Sequence, residues 1–136
     1  YGAERERRIG LRSQFAGEIW AVAHVPPSAS VPADTLRRWY DDGIDAIVLD
    51  AAVPGQLGGT GVRLSWTAIA DDVAALRASG RVLLAGGLRP ENVAEALAAV
   101  VVDAVDVSSG VESAPGIKDP ERMRAFAAAV RAHEVR

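Results

Sequence analysis

The sequence has 136 residues, of which 49% are hydrophobic, 24% charged and 5% aromatic, which is one domain's worth of chain with a composition that excludes intrinsic disorder. Its 15 basic and 18 acidic side chains leave a formal charge of -3, so no electrostatic reason exists to expect nucleic acid or an anionic membrane as partner. Cysteine is absent, which excludes disulfides, thiolate metal sites and a cysteine nucleophile or base within these residues.

No apolar run approaches the length needed to cross a bilayer, and the opening YGAERERR does not resemble a secretory signal, so a soluble cytoplasmic protein is expected. Tyr1 rather than Met opens the chain, directly ahead of a charged, helix-like stretch, and the residues are read as part of a longer polypeptide. Lys118 is the only lysine, and alanine is abundant. Both features read as genome composition rather than function.

In chain order, short apolar runs alternate with longer amphipathic stretches, the pattern of a parallel sheet covered by helices. Glu4 to Leu11 reads as a leading helix. The first strand is expected over Ile19 to Val25, followed by a helix that Pro32 opens, that carries Leu36, Trp39 and Tyr40, and that Gly43 ends. The second strand covers Asp45 to Leu49. Ser65 is the expected N-cap of the next helix, with Ile69, Val73 and Leu76 inward and an end near Gly80. Val82 to Ala85 is the third strand, and a helix from Pro90 toward Val100 follows. Ala104 to Val107 is the fourth, and Asp119 and Pro120 read as N-cap and first turn of a last helix carrying Met123, Phe126 and Val130. No linker divides this succession, so residues 1–136 are taken as one unit.

In parallel α/β folds ligands sit at the carboxyl ends of the strands. At those positions stand Asp50, then Gly55 and Gly58, Gly59, Thr60 and Gly61, then Gly86 and Gly87, then Ser108, Ser109 and Gly110. Glycine turns let the backbone approach a ligand, and successive N–H groups bind phosphate oxygens without a lysine. One glycine pair is more often a plain tight turn. Two such turns after adjacent strands point to a phosphate cup formed by Gly86, Gly87, Ser109 and Gly110. The Gly58, Gly59 and Gly61 segment reads as a lid or wall, since the lysine of a Walker-type loop is missing.

Asp50 follows Ile44, Ala46 and Val48 at even spacing and projects at the strand mouth; Asp106 shares a face with Ala104 and Ser108. A carboxyl on a buried strand face has a costly charged form, which suits a general acid, although an aspartate ending a strand is more often a turn or cap residue. His24 ends the first strand, with hydrogen bonding to a substrate carboxylate and a plain surface role equally open. With only His24 and His133, the latter expected on an exposed helix surface, no multi-histidine metal site is expected. Trp20, Trp39 and Trp66 read as packing residues.

Three segments, LDAAVPGQLGGTGVRLSW (Leu49 to Trp66), LLAGGLRPENVAEAL (Leu83 to Leu97) and VDVSSGVESAPGIKDPERMRAF (Val105 to Phe126), together resemble the C-terminal part of the phosphoribosylanthranilate isomerase family. The resemblance implies a (β/α)8 TIM barrel, of which this chain would supply the C-terminal half: four parallel strands, five to eight, with their helices. It implies an Amadori rearrangement of N-(5'-phosphoribosyl)anthranilate in tryptophan biosynthesis, with no metal or organic cofactor. It also implies that Asp50 is the general acid that opens the ribose ring, that Gly86, Gly87, Ser109 and Gly110 hold the phosphate, and that Asp106 lies near the substrate. The family's base is a cysteine after strand one, so it would come from an N-terminal portion outside these residues.

The chain alone is then expected to be inactive and to need the N-terminal barrel half, in cis or in trans, or self-association to cover its open sheet edges. Two other readings stay open. One is a non-catalytic phosphate-binding half-barrel; the other is a sugar-phosphate isomerase of histidine biosynthesis or a dual-function one.

Overall fold

The structure is a computed structural model and describes residues 2–26, 30–51 and 65–134. Helix α1 (Gly2–Gln14) leads into β1 (Trp20–Val25), α2 (Ala33–Asp41), β2 (Ala46–Ala51), α3 (Trp66–Arg77), β3 (Arg81–Leu84), α4 (Val93–Ala99) and β4 (Ala104–Val105). A single 3-10 turn (Ser109–Val111), a small hairpin of β5 (Glu112–Ala114) and β6 (Ile117–Lys118), and helix α5 (Pro120–Glu134) complete it. The sheet order β1-β2-β3-β4 follows the chain, and every pairing among these strands is parallel. Each crossover therefore steps in the same direction. That is the progression of a barrel wall; a doubly wound sheet would reverse its strand order.

Both faces of β2 are apolar, as the run of Ala46, Ile47, Val48 and Leu49 requires. Toward the helices, Val25, Ile47, Leu49, Val82 and Leu84 pack in one cluster with Leu36, Ile69, Val73, Leu76, Val93 and Phe126. On the opposite face Ala46, Val48, Leu83 and Ala85 form a smaller cluster. There β1 pairs Trp20 with Ala46 and Val22 with Val48, yet Trp20 and Val22 remain 52% and 50% exposed. Trp20 thus departs from its expected packing role. It sits on an edge strand whose second face has no covering layer among the described residues, and its indole N–H donates to Glu18 at 2.9 Å. Trp66 is buried, and Trp39 is partly buried beneath the guanidinium of Arg8, 5.0 Å from its ring centre.

The strands begin with a device used twice. Asp45 Oδ2 accepts from Ile19 N–H at 2.7 Å and from Arg12, in the last turn of α1, at 2.8 Å, while Asp45 N–H donates to Ile19 O. Asp103 repeats the pattern with Val82 N–H at 2.8 Å, Val82 O, and Arg77 in the last turn of α3. The Ile19 amide holds the Asp45 carboxyl below the ordinary carboxylate range, and the Arg77 hydrogen bond does the same for Asp103. Each aspartate joins two parallel strands to a helix end at the face opposite the strand mouths.

Gly43 ends α2 as expected. With φ of 95° it lets its N–H reach Tyr40 O and lets Ile44 N–H reach Trp39 O, the paired bonds of a Schellman ending. Beside it Asp42, 4% exposed, receives Arg5 and Arg8 from α1. Burial works against ionisation of Asp42, but the two guanidinium groups outweigh it and hold the carboxyl below its usual range. By contrast Ile9 and Leu11 of α1, and Phe15 just beyond its end, are exposed. Charge, more than apolar packing, fixes this helix.

Several expected boundaries shift; the second strand, for one, runs on to Ala51, so Asp50 lies within it. The helix expected from Pro90 begins at Val93, because Asn92 uses its side chain to close a turn on Arg89 N–H. The fourth strand is two residues instead of four; it lies at the sheet edge, and beyond Val105 only Asp106 N–H continues the ladder, to Leu84 O. Asp119 caps α5 as expected, its Oδ1 accepting from Glu121 N–H and Arg122 N–H.

Candidate functional site

The parallel register brings the sequence-derived residues to one end of the sheet. His24 and Asp50 are direct partners across β1 and β2, and both fall on the face that carries Trp20, Val22, Ala46 and Val48. His24 Nδ1 stands 3.7 Å from Asp50 Oδ2, with the two side chains 63% and 34% exposed. The burial expected around a general acid is therefore not met by these residues: Asp50 is one-third exposed and Asp106 is exposed. The reason is geometric, since the face they share is open on the side away from the helices.

Gly86 follows β3 and lies against Asp50. A Cβ at Gly86 would press on the Ala51 amide nitrogen and stand 2.6 Å from Asp50 Oδ1. Gly86 and Gly87 both adopt positive φ, 82° and 67°, a succession that glycine alone adopts without strain. Asn92 fixes the turn from behind, donating through Nδ2 to Gly87 O at 3.0 Å.

The second turn packs directly on the first. Gly110 is buried, and a Cβ there would collide with the Leu88 carbonyl oxygen; only a residue without a side chain allows this approach. Two side chains hold the turn. Lys118 Nζ donates to Ser108 O at 2.9 Å, to Ser108 Oγ at 3.1 Å and to Glu112 Oε1 at 2.6 Å, while Arg122 donates to Gly110 O at 3.1 Å. The Lys118 hydrogen bond, joined by the Gly116 amide, keeps the Glu112 carboxyl below the ordinary glutamate range.

The structure thus brings together Asp50 with Gly86, and Leu88 with Gly110. It places Asp106 at the same end of the sheet on β4's continuation. Gly58, Gly59 and Gly61 lie outside the described residues, as does Gly55. His133, expected on an exposed surface, is half-buried in an apolar groove with Leu97, Val101 and Val130. Sequence reasoning missed Asn92, Glu112, Lys118 and Arg122. Their signals were weak ones: an asparagine three residues after Arg89, and a lone lysine beside the Pro115 and Gly116 turn.

Among the described residues no group of three acidic or histidine side chains is placed to hold a metal ion, and no helix is long and apolar enough to cross a membrane. What the arrangement offers chemically is a carboxyl group beside two glycine-rich turns that pack on each other. That combination suits proton transfer on a substrate anchored by an anionic tail.

Residues 2–129 match the family model described as N-(5'phosphoribosyl)anthranilate (PRA) isomerase. An N-(5'-phosphoribosyl)anthranilate isomerase of Citrifermentans bemidjiense is 50% identical over 92 residues, 68% of this chain and 43% of that protein. One from Acetivibrio thermocellus is 44% identical over 131 residues, 96% of this chain and 56% of that protein. The solved phosphoribosyl anthranilate isomerase from Thermococcus kodakaraensis superimposes with a TM-score of 0.64 at 34% identity, covering 90% of this chain and 56% of that one. The chain spans about half the length of the curated relatives it matches.

Proposed function

The chain belongs to the N-(5'-phosphoribosyl)anthranilate isomerase family, and from that premise we propose that it is the C-terminal, acid-bearing and phosphate-binding part of an enzyme that carries out the Amadori rearrangement of N-(5'-phosphoribosyl)anthranilate to 1-(2-carboxyphenylamino)-1-deoxyribulose 5-phosphate. The observation that carries the reading is the contact of Gly86 with the Asp50 carboxylate, which sets a proton donor beside the turn that would hold the substrate's phosphate. Localisation in the cytoplasm, where a soluble phosphoribosyl substrate is available, goes with this role.

The phosphate is held by N–H groups of the Gly86, Gly87, Ser109 and Gly110 turns, which leaves the ribose over the sheet mouth. Asp50, in its acid form, gives its proton to the ribose ring oxygen as the C1'–O bond breaks, and the anilino nitrogen supplies the electron pair to form an iminium. A base then removes the C2' proton and an enolamine forms, which tautomerises to the ketone. C1' is reduced and C2' oxidised, so the step is redox-neutral within the substrate and needs no external oxidant. Asp106 lies near the substrate on the same strand ends.

The base belongs to the N-terminal portion of the barrel, since this chain has no cysteine. The open inner face, with Trp20 and Val22 half-exposed, supports the same assignment: it is a surface for strands of the other half to pack on. The chain alone is then a phosphate-binding half-barrel without turnover. This reading is tested by following the loss of phosphoribosylanthranilate fluorescence with the chain alone and with an N-terminal barrel half supplied. Turnover only in the second case, abolished by Asp50→Asn with phosphate-ligand binding kept, is expected. Turnover by the chain alone would remove the assignment of the base, and a near-normal rate in Asp50→Asn would remove the assignment of the acid.

A further inference from the structure

We propose that Lys118 and Asn92 are positioning residues of the phosphate cup, each gripping a turn carbonyl from behind so that the next peptide N–H faces the anion. The inference rests on the cup assigned above. It starts from the planar trans peptide, in which a carbonyl and the N–H that follows it point to opposite sides. Once an outer partner fixes the carbonyl, the direction of the N–H is fixed as well.

At the second turn, Ser108 O receives Lys118 Nζ at 2.9 Å and Val111 N–H at 3.3 Å. The Ser109 N–H is thereby turned away from Lys118. Lys118 is itself anchored by Glu112 Oε1 at 2.6 Å and by Ser108 Oγ at 3.1 Å. Its ammonium is therefore held in place, and Glu112 balances its charge. That balance makes the effect of Lys118 on the anion one of geometry more than of net charge.

The first turn is built on the same plan. Asn92 Nδ2 holds Gly87 O at 3.0 Å and is fixed in turn by Arg89 N–H on its Oδ1 at 2.7 Å. The Leu88 N–H then points away from Asn92. Among the described residues neither the Ser109 nor the Leu88 N–H donates to a backbone carbonyl in the turns, loops and caps. The two turns meet where Gly110 packs on the Leu88 carbonyl, and in this proposal the Leu88 and Ser109 N–H groups serve one anion. The lone lysine of the chain, read from sequence as a trace of genome composition, acquires a specific task.

The test titrates the 136-residue chain with inorganic phosphate and follows the Ser109 and Leu88 amides by NMR. Both signals are expected to move with saturation in the wild type. Lys118→Met and Asn92→Ala are each expected to weaken phosphate binding about tenfold, the scale of one lost hydrogen bond, and Lys118→Arg to recover most of it. With an N-terminal half supplied, Lys118→Met is expected to raise KM by a similar factor while kcat stays within about twofold. A merely structural lysine would alter stability without this split. Phosphate binding of unchanged strength in folded Lys118→Met or Asn92→Ala would overturn the proposal while leaving the cup intact. If Lys118→Met does not fold, Asn92→Ala on the other turn decides the same question. A wild-type chain blind to phosphate would overturn the cup itself, and this proposal with it.

Discussion

Gly86 and Asp50 are in contact across β3 and β2: a methyl group on Gly86 would stand 2.6 Å from Asp50 Oδ1, and the glycine's φ of 82° is one that side chains resist. Gly86→Ala is therefore expected to destabilise the chain by about 1–3 kcal/mol, the usual cost of such a strained residue, and to push the Asp50 carboxylate off its position. Urea unfolding measures the first effect. Turnover with an N-terminal half supplied measures the second, and a fully active Gly86→Ala protein would show that the contact does not set the acid.

Asp42 is the anchor of α1. Its carboxylate is almost wholly enclosed and receives Arg5 at 2.9 Å and Arg8 at 2.8 Å, while the helix's own large apolar side chains Ile9 and Leu11, and Phe15 just beyond its end, stay exposed. Asp42→Ala removes the shared acceptor and is expected to cost about 1.5–3 kcal/mol, the range for hydrogen bonds to a charged group. Hydrogen exchange in α1 should then accelerate more than exchange in β2. Uniform acceleration across the chain would contradict the view that charge, more than packing, fixes this helix.

Acid should weaken the fold through Asp45, Asp103 and Glu112. The carboxyls of all three are depressed in the folded chain, chiefly by the Ile19 amide, by Arg77 and by Lys118 respectively. The unfolded chain consequently binds more protons at low pH. The stability these groups contribute is present above their unfolded values, near about 4, and is lost as pH falls through the lower folded values. Denaturant unfolding at about pH 5 and about pH 3, at fixed ionic strength, is expected to show a lower midpoint in the more acid solution that Asp103→Asn partly flattens. An equal midpoint at both values would exclude the linkage.

Val22 tests the open face. It is half-exposed and on the same side of β1 as Trp20, so Val22→Asp is expected to change the stability of the chain alone by no more than about 0.5 kcal/mol. The same change should block association with an N-terminal barrel half, since it would bury an unpaired carboxylate. Sedimentation velocity on the mixed halves reads this directly. A variant that still assembles would mean that the partner strands pack elsewhere.

Sequence determined a good deal here because the signals are local. The two-residue period placed Asp50 on the face of Ala46 and Val48, the spacing of Ile69, Val73 and Leu76 gave the buried side of α3, and Asp119 ahead of Pro120 marked the start of α5. Each depends on residues only a few positions apart, where geometry is fixed by the strand or helix itself. The glycines of both turns were legible for the same reason, as places where side chains are excluded.

Tertiary structure decided what depends on residues distant in the chain. Asp42 is enclosed only when α1 folds back onto it, and Trp20 looks like a core residue until its strand proves to be an edge with one face uncovered. The contact of Gly110 with Leu88, the grip of Lys118 on Ser108 and the nearness of Gly86 to Asp50 arise when the parallel strands align in register. Burial and hydrogen-bond direction are properties of the assembled sheet, so no local pattern could carry them.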